Sequence, residues 1–121
     1  MKDYKVVVAG GRDFKDFEKL TEVLDSVLRV RVETHNIVIV SGAARGADSL
    51  GEKYAIMRGY KVDTYKANWD ALGKSAGYVR NKAMSDNSNA SVIFWDGVSK
   101  GSKHMIDITV RSGKPFKVVH Y

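Results

Sequence analysis

The stretch Asn36-Ile37-Val38-Ile39-Val40-Ser41-Gly42-Ala43-Ala44-Arg45-Gly46-Ala47-Asp48-Ser49-Leu50 decides the fold. Four consecutive apolar residues, Ile37 to Val40, suit a strand covered on both faces. Ser41-Gly42-Ala43-Ala44 carries almost no side-chain bulk, so a ligand can approach the backbone. A helix that begins just beyond would aim unpaired N–H groups and its positive dipole end at that space. This geometry favours an anion, most often a phosphate. It also suits a tight strand-to-helix turn with no ligand, because it matches neither Walker A nor G-x-G-x-x-G.

Working outward, the same strand–turn–helix unit recurs. Tyr4 to Ala9 reads as a first strand, followed by the small-residue turn Gly10-Gly11-Arg12-Asp13-Phe14. Phe17, Leu20, Val23, Leu24, Val27 and Leu28 recur at helical spacing and predict a helix from about Asp16 to Val32, capped by Asp13 or Asp16. The strand from Asn36 to Val40 leads to a helix over Ala47 to Met57, with Gly59 as its left-handed terminator. Lys61 to Tyr65 is a short, polar strand suited to a sheet edge. Lys66 to Lys74 reads as a loop carrying Trp69. A helix over Ser75 to Ser85 precedes the strand Ala90 to Trp95. The turn Asp96-Gly97-Val98-Ser99-Lys100-Gly101-Ser102 leads to a last helix, His104 to Arg111, and a final strand, Phe116 to His120. Regular alternation with short connections predicts one domain over residues 1–121: a Rossmann-like α/β three-layer sandwich whose five-stranded parallel sheet has the order 3-2-1-4-5.

Composition narrows the function classes. The chain has 121 residues, 44% hydrophobic and 28% charged, ordinary for a globular domain. There is no Cys, which rules out disulfides and thiolate metal sites. No apolar run approaches the length of a membrane span, and the N-terminus lacks a signal-peptide core, so a cytoplasmic protein without a membrane partner is the expectation. Net charge is +6, with a pI near 9.6. That balance points to a phosphorylated ligand, with nucleic acid as the alternative. The cations are spread along the chain, without the interleaved aromatics of single-strand binders.

In an open parallel sheet the ligand crevice lies beyond the carboxyl ends of the strands, where the strand order reverses. The order 3-2-1-4-5 puts that point between the first and fourth strands. Gly10-Gly11, Ser41-Gly42 and Gly101-Ser102 then converge on one crevice. Arg12 would clamp a phosphate with its planar fork, and Arg45 is a weaker candidate for the same role. Asp48 could hydrogen-bond a ribose, or serve only the helix dipole. Ser102 could bind phosphate and cap the last helix. Trp69 could stack on a base, make a subunit contact or pack over the sheet edge. Tyr78 and Lys82 share a helix face from which Arg80 diverges. Asp13, Asp48 and Asp96 lie near strand ends and could hold Mg²⁺ through a bound phosphate, although their spacing does not demand it. His35, His104 and His120 are too dispersed for a metal cluster.

The motifs Val8-Ala9-Gly10-Gly11-Arg12-Asp13-Phe14, Val40-Ser41-Gly42-Ala43-Ala44-Arg45-Gly46-Ala47-Asp48 and Arg80-Asn81-Lys82-Ala83-Met84 together resemble the SLOG superfamily. The YspA-like branch is the nearest in pattern; Lonely Guy phosphoribohydrolases and DprA are more distant. The resemblance implies a nucleotide or nucleotide-derived ligand, held by Gly10, Gly11, Arg12, Ser41, Gly42, Ala43, Arg45, Gly46, Asp48, Arg80, Asn81, Gly101 and Ser102. It also implies self-association, since relatives often form dimers. Arg80 stands where the Lonely Guy enzymes carry a catalytic arginine. Their catalytic glutamate falls at Met105, which cannot stabilise an oxocarbenium-like state. The expectation is therefore a sensor, sequestering or regulatory module. The alternatives are a nucleoside-monophosphate N-glycosidase (a phosphoribohydrolase) and a DprA-like binder of single-stranded DNA.

Overall fold

The computed structural model describes residues 1–121. Five strands form one all-parallel sheet: β1 (Asp3–Gly10), β2 (Asn36–Ser41), β3 (Lys61–Thr64), β4 (Ala90–Trp95) and β5 (Phe116–His120). Their order is β3-β2-β1-β4-β5, as the alternation predicts. The helices are α1 (Phe17–Leu28), α2 (Ala47–Arg58), α3 (Trp69–Leu72), α4 (Ala76–Asp86) and α5 (Lys100–Ser112).

The sheet is central because its middle strands are apolar on both faces. Val6 and Val8 point to one side with Ile37, Ile39, Val92 and Phe94, where Leu20, Leu24 and Leu28 of α1 and Tyr54 of α2 cover them. Val7 and Ala9 point to the other with Val40 and Ile93, against Met84 of α4 and Met105 of α5. The two-residue period of a strand produces this division. Reversal of direction at β1 sends α1 and α2 to one face and α4 and α5 to the other. Gly51 lets α2 lie close on β1, since a Cβ there would stand 2.8 Å from the Val8 side chain. No helix is long and apolar enough to cross a membrane.

Three boundaries differ from the sequence reading. Helix α1 ends at Leu28, and Arg31–Glu33 forms a separate 3-10 turn. Past Leu28 the apolar positions leave the core: Val30 is largely exposed, and the N–H groups of Thr34 and His35 both turn back to the Arg31 carbonyl. Asp16 is the cap, its side chain accepting from the Lys19 N–H. The loop from Lys66 to Lys74 contains the short helix α3, capped by Asn68. Helix α5 starts at Lys100, four residues before His104. The Asp96 carboxylate accepts from the N–H groups of Val98 and Ser99 and folds the approach into a turn that launches the helix early. Ser102 is therefore inside the first turn of α5 and does not cap it; Ser99 holds the cap position.

Candidate functional site

The β1–α1 and β2–α2 turns lock together before they offer anything to a ligand. The Ala47 N–H, at the start of α2, donates to the Gly11 carbonyl at 3.2 Å. Gly46 has φ +77°, and a Cβ there would stand 2.2 Å from the Gly11 oxygen. Only glycine fits that backbone and that approach. The Ser41 hydroxyl, fully buried, donates to Glu52 at 2.6 Å and accepts from the Ala43 N–H. The Ala44 N–H donates to the Asp48 carboxylate at 3.2 Å. Much of the polar capacity at this helix start is thus used internally. The room above Gly42 is filled as well, by the Arg80 guanidinium and the Asp48 carboxylate.

Asp48 and Arg80 meet at that point. Arg80 donates from Nη1 to the Gly42 carbonyl at 2.7 Å and from Nε to Asn81 Oδ1 at 3.1 Å. This ties α4 to the end of β2. Asn81, nearly buried, donates onward to the Gly101 carbonyl and to His104 Nδ1, which joins α4 to the first turn of α5. Tyr78 lies against the His104 ring, with centroids 4.3 Å apart. Asp48 is only 4% exposed. Burial pushes its carboxyl up to about 6, while the Ala44 N–H and the Arg80 and Arg12 guanidiniums favour the ionised form. Burial lowers the Arg80 pKa, and Asp48 opposes that shift. Burial likewise depresses His104.

Two adjoining depressions result. The first is a crevice of about 520 Å³ at the carboxyl ends of β1 and β4. Ala9, Gly10 and Gly11 form its floor; Gly77, Tyr78, Arg80, Asn81 and Met84 of α4 and Ser99, Gly101, Ser102 and Met105 at the start of α5 form its walls. Its charged residues are Arg12, Lys74 and Arg80 together with Asp13, Asp48 and Asp96. The second is a cleft of about 380 Å³ at the ends of β2 and β3, lined by Gly42, Ala43, Arg45, Lys66 and Ala67. Arg12, Ala44, Trp69 and Arg80 belong to both and form the border.

Of the residues singled out from sequence, Gly10, Gly11, Arg12, Asp48, Arg80, Asn81, Gly101 and Ser102 line the crevice. Gly42, Ala43 and Arg45 line the cleft. Ser41 and Gly46 line neither; one is a buried strut and the other a packing contact. Tyr78 and Arg80 face the same crevice despite their spacing, whereas Lys82 pairs with Asp86 at 2.7 Å. Trp69 is half exposed, and the edge of its indole ring sits over Gly77. Lys66 and Lys74 come from a loop without periodicity, so no local signal marked them. Asp13 accepts from the Tyr121 hydroxyl, which raises the Tyr121 pKa further after burial. The N–H groups of Ser99 and Val98 hold Asp96 below the usual carboxylate range. No three His, Cys, Asp or Glu side chains gather as a metal-binding group. Met105, 1% exposed, stands in the crevice wall.

An open doubly wound sheet with a crevice at its switch point defines a Rossmann-like domain. Residues 4–71 match the family model for YAcAr, described as the YspA, cpYpsA-related SLOG family, and the chain belongs to that family. It is 29% identical over 117 residues to the Gene 61 protein of Mycobacterium phage D29, with 92% of each chain covered. Its fold is similar to that of DNA processing protein A (DprA) from Streptococcus pneumoniae, with a TM-score of 0.75 at 17% identity. That match covers 97% of this chain and 50% of the DprA chain, so the present chain spans half the length of that structure. TM1055, a structural-genomics target, is similar over 96% of this chain and 72% of its own, with a TM-score of 0.64 at 18% identity.

Proposed function

We propose that the chain binds a nucleotide or nucleotide-derived phosphorylated ligand at the carboxyl ends of β1, β2 and β4, as a sensor, sequestering or regulatory module. The observation that carries this reading is the crevice at the switch in strand order. Its 520 Å³ falls within the range of small-ligand sites, and guanidiniums and hydroxyls converge on it. Arg12 makes no ion pair or hydrogen bond within the chain and is available to an anion. Ser102, also lining the crevice, has a hydroxyl with no partner in the protein. Membership of a SLOG family supports a nucleotide-type ligand. Met105 in the wall argues against the phosphoribohydrolase alternative, since a thioether supplies no charge to an oxocarbenium-like state. Mg²⁺ would enter only with a phosphate, because the carboxylates do not gather without one.

The test is a thermal-shift and calorimetric panel of mono-, di- and cyclic nucleotides. A ligand that binds only the native state at a hundred times its Kd stabilises by about 2.7 kcal/mol. The expected result is a shift of several degrees for a subset of the panel, lost in Arg80→Met. If no phosphorylated compound moves the melting curve at millimolar concentration, the reading is wrong. A second reading, single-stranded DNA binding, draws on the basic cleft and on the likeness of fold to DprA. It requires oligonucleotide affinity that falls steeply with salt.

A further inference from the structure

The two depressions sort their charges. The residues that line only the crevice carry three carboxylates, Asp13, Asp48 and Asp96, and one cation, Lys74. The residues that line only the cleft carry two cations, Arg45 and Lys66, and no carboxylate. Arg12, Arg80 and Trp69 stand on the border. None of Arg12, Arg45, Lys66 and Arg80 is in an ion pair. No carboxylate is among the residues lining the cleft of about 380 Å³, where Arg45 and Lys66 stand clear of the Asp48 that neighbours Arg80 at the border, while the larger crevice beside it is acidic away from that border.

A phosphate is repelled by carboxylates, whereas sugar hydroxyls and base amino groups donate hydrogen bonds to them. From this partition we infer that the ligand lies across the border in one orientation: nucleoside in the crevice, and a chain of two phosphates passing Arg12 and Arg80 into the cleft against Arg45 and Lys66. One phosphate is matched by two of these cations; the second pair calls for a second phosphate. The ligand class is a nucleoside diphosphate or an ester of one. This orientation rests on the nucleotide-binding reading above and adds a second anion subsite, at the ends of β2 and β3. The cleft also contains Ala43, the one non-glycine residue with positive φ, at 62°. The turn thus holds a strained backbone where it borders the subsite.

The experiment titrates the full chain with adenosine, AMP and ADP, with guanosine, GMP and GDP, and with inorganic tripolyphosphate. It uses wild type, R45Q/K66Q and K74Q at low salt. Arg45 and Lys66 are exposed and unpaired, so the double variant keeps the wild-type melting temperature, which establishes that it folds. The diphosphate should bind wild type at least tenfold more tightly than the matching monophosphate. That ratio should collapse toward one in R45Q/K66Q and persist in K74Q, whose cation is on the crevice side. A ratio near one in wild type, or a ratio unchanged in R45Q/K66Q, overturns the orientation while nucleotide binding stands. Tripolyphosphate binding that R45Q/K66Q abolishes, with no nucleotide competing for it, supports the anion subsite and sinks the nucleotide reading. If neither nucleotides nor tripolyphosphate bind, both inferences fall.

Discussion

The glycine-bearing turns after β2 and β4 look alike in sequence and do different work. A Cβ on Gly46 would strike the Gly11 carbonyl and the Arg12 backbone, and one on Gly42 would strike Arg80 and Asp48. Around Gly97 and Gly101 there is nothing within 4 Å. Small residues in the first turn make room for the chain itself; in the second they leave room for something else. A glycine-rich strand end is therefore not by itself a ligand cradle. The distinction depends on which other segments arrive at the same place.

Paired substitutions break this comparison most sharply. Gly46→Ala combines a left-handed backbone with backbone overlap and should cost about 3 kcal/mol or more, seen as a fall in Tm of roughly ten degrees. Gly101→Ala lies at an exposed position in the first turn of α5 and should leave stability unchanged or raise it by up to about 1 kcal/mol. Its methyl enters the crevice, so ligand affinity should drop without loss of fold. Comparable Tm losses in the two variants would erase the difference between the turns.

Asp48→Asn probes the interlocked side next. The folded pKa of Asp48, about 6, lies above its ordinary value of 3.8. Between these values the Asp48 carboxyl binds more protons in the native state than in the unfolded chain, so its contribution to stability is greatest below pH 4 and falls as pH rises toward 6. At about 1.4 kcal/mol per unit, the loss approaches 3 kcal/mol and is complete above that window. Asp48→Asn keeps an acceptor for the Ala44 N–H and carries no charge. It should be about 1–3 kcal/mol more stable than wild type at pH 7 and lack the decline between pH 4 and 6. Denaturant melts at pH 4, 5, 6 and 7 measure both; an unaltered decline would mean that another group titrates.

The smallest effect belongs to Ala43→Gly. Glycine relieves about 1 kcal/mol of left-handed strain and gives back about half of that in unfolded-state freedom. Ala43 is exposed, so no packing is lost, and Tm should hold or rise by a few degrees. A fall of more than about 1 kcal/mol would reveal a backbone that depends on the methyl group.

Much of the layout was legible because it is written in local pattern. The apolar strand cores, the helical spacing of Leu20, Leu24 and Leu28, and the left-handed stop at Gly59 are short-range features, and the structure keeps them. The early start of α5 was not legible, since it depends on the Asp96 side chain folding back on Ser99. The crevice lining was foreseen where residues sit on strand ends, as with Gly10, Gly11 and Arg12. Lys74 in the crevice and Lys66 in the cleft escape such a reading, because their loop has no period to project; Trp69 of the same loop stands out by its ring alone.

The sequence by itself determined an alternating α/β chain, its 3-2-1-4-5 sheet and the position of the switch point, because connection length and apolar period leave few topologies open. Only the tertiary structure decided how charge is distributed there. Arg12, Arg45, Lys66 and Arg80 are far apart along the chain, yet the crossovers carry them to neighbouring strand ends, and Asp13, Asp48 and Asp96 line the adjoining crevice. Electrostatic character at a site is a sum over distances in space, and no one-dimensional pattern contains those distances.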